Sequence, residues 1–221
     1  MKDVFCGIDE AGRGPVIGSL VMACVCLDEK SIRKLKGLGV RDSKKMTPKK
    51  REELEPVIKE LALEWSTIKI TPQEIDKLRK KKSLNVIEAD KTAELILSLT
   101  VKPSKIFVDA TDSIAKNYEK KIIDQIVKLN PEYKIPKMVC EHRADDKYIP
   151  ASAASVIAKV ERDREIEELK KEYGNIGSGY PSDERTQKFV RKLVREGSLP
   201  SFVRRSWGTV NKLKQSSLSE F

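Results

Sequence analysis

Only one histidine, His142, occurs in the 221 residues, and the four cysteines (Cys6, Cys24, Cys26 and Cys140) nowhere form a C-x2-C pair. A zinc site built from thiolates and imidazoles is therefore not expected. No run of about 18 apolar residues is present, which excludes a helical membrane span. The N-terminus lacks the pattern of a secretory signal. Glutamine is confined to Gln73, Gln125, Gln187 and Gln215, while Lys and Glu abound, a bias of heat-adapted proteins. No internal repeat or low-complexity segment breaks the chain. Cys24 and Cys26 fall on one face of a strand, so buried thiols in a reducing cytoplasm are expected.

What the chain has instead is charge. Lys and Arg number 44 against 34 Asp and Glu, a net charge of +10 that favours a polyanionic partner such as nucleic acid. The length suits one domain with a large core, or at most one domain with an appendage. The expected division is a catalytic domain over 1–200 and a basic C-terminal extension over 201–221.

Short apolar runs at Asp3–Ile8, Ile17–Leu27, Glu64–Ile70, Ile106–Val108 and Met138–Cys140 read as strands. Helical patterns lie between them. Thr47-Pro48 is a cap with a first-turn proline, followed by Leu54, Val57, Ile58 and Leu61 on one face. Thr71-Pro72-Gln73-Glu74 has capping-box spacing. Further helices are expected around 86–96, 122–127, 151–173 and 183–195. Strands come first, then alternate with helices, so the fold class is α/β. A mixed central sheet flanked by helices is predicted, antiparallel at its start and parallel later. Residues from about Lys212 read as a loose polar end.

The sharpest local feature is Asp9-Glu10 at the end of the apolar run Val4–Ile8, followed by Ala11-Gly12-Arg13-Gly14-Pro15. Buried carboxylates are disfavoured unless paired or metal-bound. Asp109 and Asp145-Asp146 also sit at strand or loop ends, where α/β active sites gather. Side chains alternate along a strand, so Asp9 and Glu10 reach one site only if the chain leaves strand geometry at Glu10. Clustered acids with all-oxygen donors suit Mg²⁺ or Mn²⁺, and two such ions are a standard device for phosphodiester cleavage. The same acids could instead cap helices or pair with the many Lys and Arg.

Several segments together resemble ribonuclease HII, the type 2 ribonuclease H, in its archaeal branch. They are Gly7–Pro15, Asp42–Lys45, Val108–Ala110, His142–Asp145, Ala151–Val160, Gly177–Asp183 and Val203–Trp207, in order along the chain. The resemblance implies a ribonuclease H-like fold with a helical C-terminal extension. It implies an endoribonuclease acting on RNA–DNA hybrids and on single ribonucleotides in duplex DNA, leaving 5′-phosphate and 3′-hydroxyl ends. By motif match, Asp9, Glu10, Asp109 and Asp145 would be the catalytic, metal-binding acids, and Asp146 the decoy. An extra N-terminal domain marks ribonuclease HIII, whereas here the first strand starts at once. A monomer is expected.

The resemblance also implies that the Gly12-Arg13-Gly14 loop reads the ribose 2′-hydroxyl, the group that separates RNA from DNA. It implies that Tyr180 packs on the adjoining deoxyribose. From the residues alone, the loop is equally an ordinary tight turn and Tyr180 a surface aromatic. Ser43, Lys44 and Lys45 lie in a basic loop suited to phosphates or simply solvated. Lys159, within the small apolar face of its helix, must snorkel or meet an anion, either a backbone phosphate or the acidic cluster. Arg204, Arg205, Lys212 and Lys214 form a basic stretch that could widen a duplex footprint. His142 reads as a packed residue rather than a general base.

The end, Gln215-Ser216-Ser217-Leu218-Ser219-Glu220-Phe221, resembles the motif that docks replication proteins on the sliding clamp. One helical turn would put Leu218 and Phe221 on one face, beside Gln215. A frayed polar tail is the alternative.

Overall fold

A computed structural model describes residues 3–40 and 46–218, with side chains through Gln215. Two compact units emerge, interleaved in sequence. The first comprises the chain up to Ala11, Val21–Ile68 and Ser83–Val160; the second comprises Gly12–Leu20, Lys69–Lys82 and the chain from Glu161 onward. The expected boundary at residue 200 is not a boundary between these units.

The first unit is built on a five-stranded sheet in the order β3-β2-β1-β4-β5, from β1 (Val4–Ala11), β2 (Leu20–Asp28), β3 (Glu64–Ile70), β4 (Lys105–Asp109) and β5 (Lys137–Glu141). β1 runs antiparallel to β2 along its whole length, from Val4 opposite Asp28 to Ala11 opposite Val21. It is parallel to β4, which is parallel to β5. This is the mixed sheet read from the order of elements.

One sheet face carries Val21, Ala23, Val25 and Leu27 in period two. They share a core with Leu35 of α1 (Glu29–Gly37), Leu54 and Ile58 of α2 (Pro48–Leu61), and Ala153, Ala154 and Ile157 of α7 (Ile149–Tyr173). Each fully buried Val, Leu or Ile contributes about 1.5–3 kcal/mol. α3 (Pro72–Leu78) belongs to the second unit. In the first, α4 (Leu84–Ser98) and α5 (Ala115–Leu129) pack together, and the buried Tyr118 hydroxyl meets Thr92 Oγ1 at 3.2 Å.

Gly7 sets where α7 begins. A Cβ at this position would lie 2.0 Å from backbone atoms of Pro150 and Ala151, so the helix start rests directly on bare strand backbone. α1 was not foreseen, because its polar sequence buries only Ser31 and Leu35; Asp28 caps it by accepting from the Ser31 N–H at 2.8 Å.

The cysteines correct an expectation. Cys6 and Cys26 are register partners across β1 and β2, and they form a disulfide. Cys24 remains a buried thiol, its pKa pushed up to about 12 by desolvation. Among the described residues no helix is long and apolar enough to cross a membrane.

The second unit packs Val16, Ile17, Ile166, Ile176, Val190, Phe202, Val203 and Val210 into its own core. Ile17 bridges to Val203 in antiparallel fashion. α3 begins with the foreseen capping box of Thr71 and Glu74, and α8 (Glu184–Arg195) is capped by Asp183. The helical C-terminal extension implied by the resemblance is present as α9 (Gly208–Leu218), with Val210 buried in the core of the unit; the helix includes residues from Lys212 that read as a loose polar end.

Candidate active site

In the first unit, Asp9 stands near the end of β1, on the face that α7 covers. Gly7 and Asp9 alternate onto that face, and the helix that rests on Gly7 carries Ser155 and Lys159 one and two turns beyond Ala151. The Ser155 hydroxyl bonds the Asp9 carboxylate, and the Lys159 ammonium lies near enough to stabilise its charge. Asp9 Oδ1 also accepts from the Glu10 N–H at 2.8 Å.

Asp109 ends the neighbouring parallel strand β4. Its Oδ1 accepts from the Ala144 N–H at 3.1 Å. Arg143 turns the chain with a left-handed backbone, φ 58°, immediately before the short helix α6 (Ala144–Lys147). This turn delivers Asp145, which is buried, while Asp146 stays outside the cluster.

Asp9, Asp109 and Asp145 each offer a carboxylate oxygen within 4.8 Å of the others. Burial and then repulsion from Asp109 push the Asp9 pKa up to about 7, with Asp145 adding to the rise; Ser155 and Lys159 pull the other way. Like charges held this closely in a desolvated place call for a positive partner. An all-oxygen set of this kind fits a hard divalent cation.

Glu10 keeps its place in the strand, opposite Met22. Its charge is felt by Tyr118 of α5, whose hydroxyl is held neutral by burial, then by Glu88 and Glu10. Glu10 is not one of the three carboxylates that lie within 4.8 Å of one another.

The Gly12-Arg13-Gly14 loop belongs to the second unit, and its backbone is held tightly. Gly12 has φ 87°, and a Cβ there would lie 2.6 Å from the Ser19 carbonyl oxygen. Only glycine meets both demands. Gly14 faces the Tyr180 ring, whose nearest carbon would sit 3.6 Å from an added Cβ. The Arg162 guanidinium lies 4.8 Å from the Tyr180 ring centroid, and its Nη2 donates to Ser178 O at 2.7 Å. The two elements singled out in the sequence, the glycine loop and Tyr180, are thus neighbours.

Arg204 corrects the reading of the basic C-terminal stretch. It is fully buried and faces no solvent. Its Nε donates to Gly18 O at 2.9 Å, Nη1 to Arg13 O at 3.0 Å and Nη2 to Gly12 O at 2.5 Å. Burial lowers its pKa to about 10, so it remains charged at neutral pH. Trp207 Nε1 donates to Gly14 O at 3.0 Å. Sequence reasoning missed Ser155, Arg162 and Trp207 as participants. The spacing Ala151-Ser155-Lys159 on one helix face was the available signal for Ser155.

The remaining residues divide plainly. The ring nitrogens of His142 lie 3.2 and 3.3 Å from the carbonyl oxygens of Ala110 and Ser113, a loop-bracing role. Ser43, Lys44, Lys45 and Phe221 lie outside the described residues, as does the side chain of Leu218. Gln215 is exposed on α9.

Comparison with known proteins bears on these residues. The model of the ribonuclease HII family matches residues 6–210. The ribonuclease HII of Thermococcus sibiricus is 48% identical, the match covering 95% of this chain and 90% of that protein. Among solved structures, the ribonuclease H2 of Pyrococcus horikoshii OT3 superposes with a TM-score of 0.87 at 42% identity, covering 96% of this chain and 98% of that one. The ribonuclease HII of Archaeoglobus fulgidus, solved as a complex with PCNA, gives 0.84 at 40% identity, covering 98% and 100%.

Proposed function

The chain belongs to the ribonuclease HII family, and on that premise we propose that it cuts RNA in RNA–DNA hybrids and single ribonucleotides embedded in duplex DNA. It is a metal-dependent endoribonuclease. The observation that carries the reading is the group of buried Asp9 and Asp145 with half-buried Asp109, whose oxygens lie within 4.8 Å of one another.

Asp9, Asp109 and Asp145, with Glu10 from the adjoining strand position, would hold Mg²⁺ or Mn²⁺. Two such ions, when bound, supply positive charge at the scissile phosphate and a water-derived nucleophile at neutral pH. The protein's own part is to hold the carboxylates still. Ser155 fixes Asp9, and the Ala144 N–H fixes Asp109. Lys159 partly offsets the rise that burial and the neighbouring acids impose on the Asp9 pKa. The products carry 5′-phosphate and 3′-hydroxyl ends.

Gly12, Arg13 and Gly14 read the 2′-hydroxyl through closely approaching backbone, and Arg13 holds a phosphate. Tyr180 packs on the deoxyribose that follows, supported from below by Arg162. Ser43, Lys44 and Lys45 contact the backbone. The enzyme works as a monomer in the cytoplasm. Its tail, through Gln215, Leu218 and Phe221, docks on a sliding clamp; the PCNA complex of the Archaeoglobus fulgidus protein supports this.

The direct test is cleavage of an RNA–DNA hybrid in Mg²⁺ and in EDTA. Cutting of the RNA strand in Mg²⁺ alone is expected. An intact hybrid in Mg²⁺ and in Mn²⁺ contradicts the reading.

A further inference from the structure

The second unit has an open cavity of about 610 Å³ lined by Lys77, Arg79, Lys80 and Arg205, with Asp76 the one acid among its lining residues. Four cations surround one carboxylate. That carboxylate is already engaged: Asp76 Oδ2 accepts from the Arg205 N–H at 2.8 Å and Oδ1 from the Ser206 N–H at 2.9 Å. It ties down the cavity floor rather than neutralising the lysines.

The two guanidiniums are fixed without being neutralised. Arg79 Nη1 donates to Ser206 O at 3.4 Å, and Arg205 Nη2 donates to Leu199 O at 2.6 Å. Carbonyl oxygens carry no net charge, so both cations persist. Among the described residues, Lys77 and Lys80 have no ion-pair partner, and both are exposed. The C-terminus of α3 favours a cation at Lys77, but it does not account for the other three. Gln73, Ser201 and Ser206 add neutral hydrogen-bonding groups to the lining. Such a lining is wrong for an apolar ligand and right for the oxygens of phosphodiesters.

The cavity is also wired to the glycine loop. Arg79 lies 4.8 Å from the Trp207 ring centroid, and the Trp207 indole N–H bonds Gly14 O at 3.0 Å. A duplex whose sugar sits on that loop carries phosphates on both sides of it.

We propose that this cavity is a phosphate-binding site for the backbone flanking the ribonucleotide, with Lys77 and Lys80 supplying the mobile contacts and Arg79 and Arg205 the fixed ones. The inference rests on the functional reading above. It extends the substrate footprint to a segment, Lys69–Lys82, in which the sequence showed only a helix cap.

The experiment measures binding of the full chain to an RNA–DNA hybrid in EDTA over a series of salt concentrations. Three proteins are compared: wild type, Lys77→Ala/Lys80→Ala, and a charge-matched control, Lys120→Ala/Lys128→Ala, at exposed positions of α5. Each lost phosphate contact lowers the slope of log affinity against log salt by about 0.9. The cavity variant should lose between about one and two units of slope, while the control keeps the wild-type slope. An unchanged slope in the cavity variant, or an equal loss in the control, overturns the proposal. If wild type cuts the hybrid in Mg²⁺ while the cavity variant keeps its slope, only the cavity assignment fails. If wild type neither binds nor cuts the hybrid, the functional reading fails with it.

Discussion

Arg204 donates from Nη2 to the carbonyl oxygen of Gly12 at 2.5 Å, across 192 residues of sequence. The same guanidinium holds Arg13 O and Gly18 O. The loop proposed to read the 2′-hydroxyl is thus shaped by a buried cation from the C-terminal segment. Its carbonyls face inward to Arg204 and Trp207. Arg204→Ala would strand three carbonyl oxygens in a dry place. A loss of about 3–5 kcal/mol is expected in denaturant unfolding. Arg204→Lys should recover little of it, because one ammonium cannot span three directions.

Trp207→Phe is the milder probe of the same clamp. It keeps an aromatic ring of smaller size and removes the indole N–H that bonds Gly14 O. A stability loss of about 1 kcal/mol is expected. The functional effect should appear as weaker discrimination between ribonucleotide-containing and all-DNA duplexes. Unchanged discrimination would remove the loop from sugar reading.

Gly7→Ala tests how the strand and α7 meet. The new Cβ would fall 2.0 Å from Pro150 and Ala151 backbone. Backbone cannot yield as a flexible side chain would, so the start of α7 must shift. Destabilisation of about 1–3 kcal/mol or more is expected, with loss of activity, because Ser155 and Lys159 ride on that helix. Wild-type melting and activity would refute this packing.

Asp9 sets a pH dependence for the metal-free protein. Folded, it keeps its proton up to about pH 7; its ordinary value is 3.8. Between those values the folded state binds more protons than the unfolded state, so stability falls as pH rises and the loss is complete above about 7. In EDTA the melting temperature should therefore drop between pH 5 and pH 8. Added Mg²⁺ should raise it more at pH 8 than at pH 5, since cation and proton compete for the same oxygens. Asp9→Asn should flatten the EDTA profile. A flat wild-type profile would contradict the crowding of the three acids.

Much of this was legible in local sequence. The caps at Thr47 and Thr71, the strand Glu64–Ile70, and Asp109 closing Ile-Phe-Val all depend on neighbouring residues, and they stand where expected. Distant pairings were not legible. Whether Glu10 shares a face with Asp9 depends on the strand continuing to Ala11. The partnership of Cys6 with Cys26 depends on register between β1 and β2. Arg204 looks like a surface cation until its three carbonyl partners, far away in sequence, are known. The helical C-terminal extension followed from the family resemblance alone, because the polar sequence of α9 buries few residues and gives little local sign of it.

The tail carries its own test. Deleting 215–221 should abolish affinity for a sliding clamp and spare cleavage of naked substrate. Retained clamp affinity would place the contact elsewhere.

The central claim is best tested on a DNA duplex carrying one ribonucleotide, beside an all-DNA control, in Mg²⁺ or EDTA, with wild type and Asp109→Asn. Metal-dependent cutting on the 5′ side of the ribonucleotide, absent in the all-DNA duplex and lost in the variant, is the predicted result. Equal cutting of both duplexes, or tight binding by wild type with no cutting at all, would contradict the account.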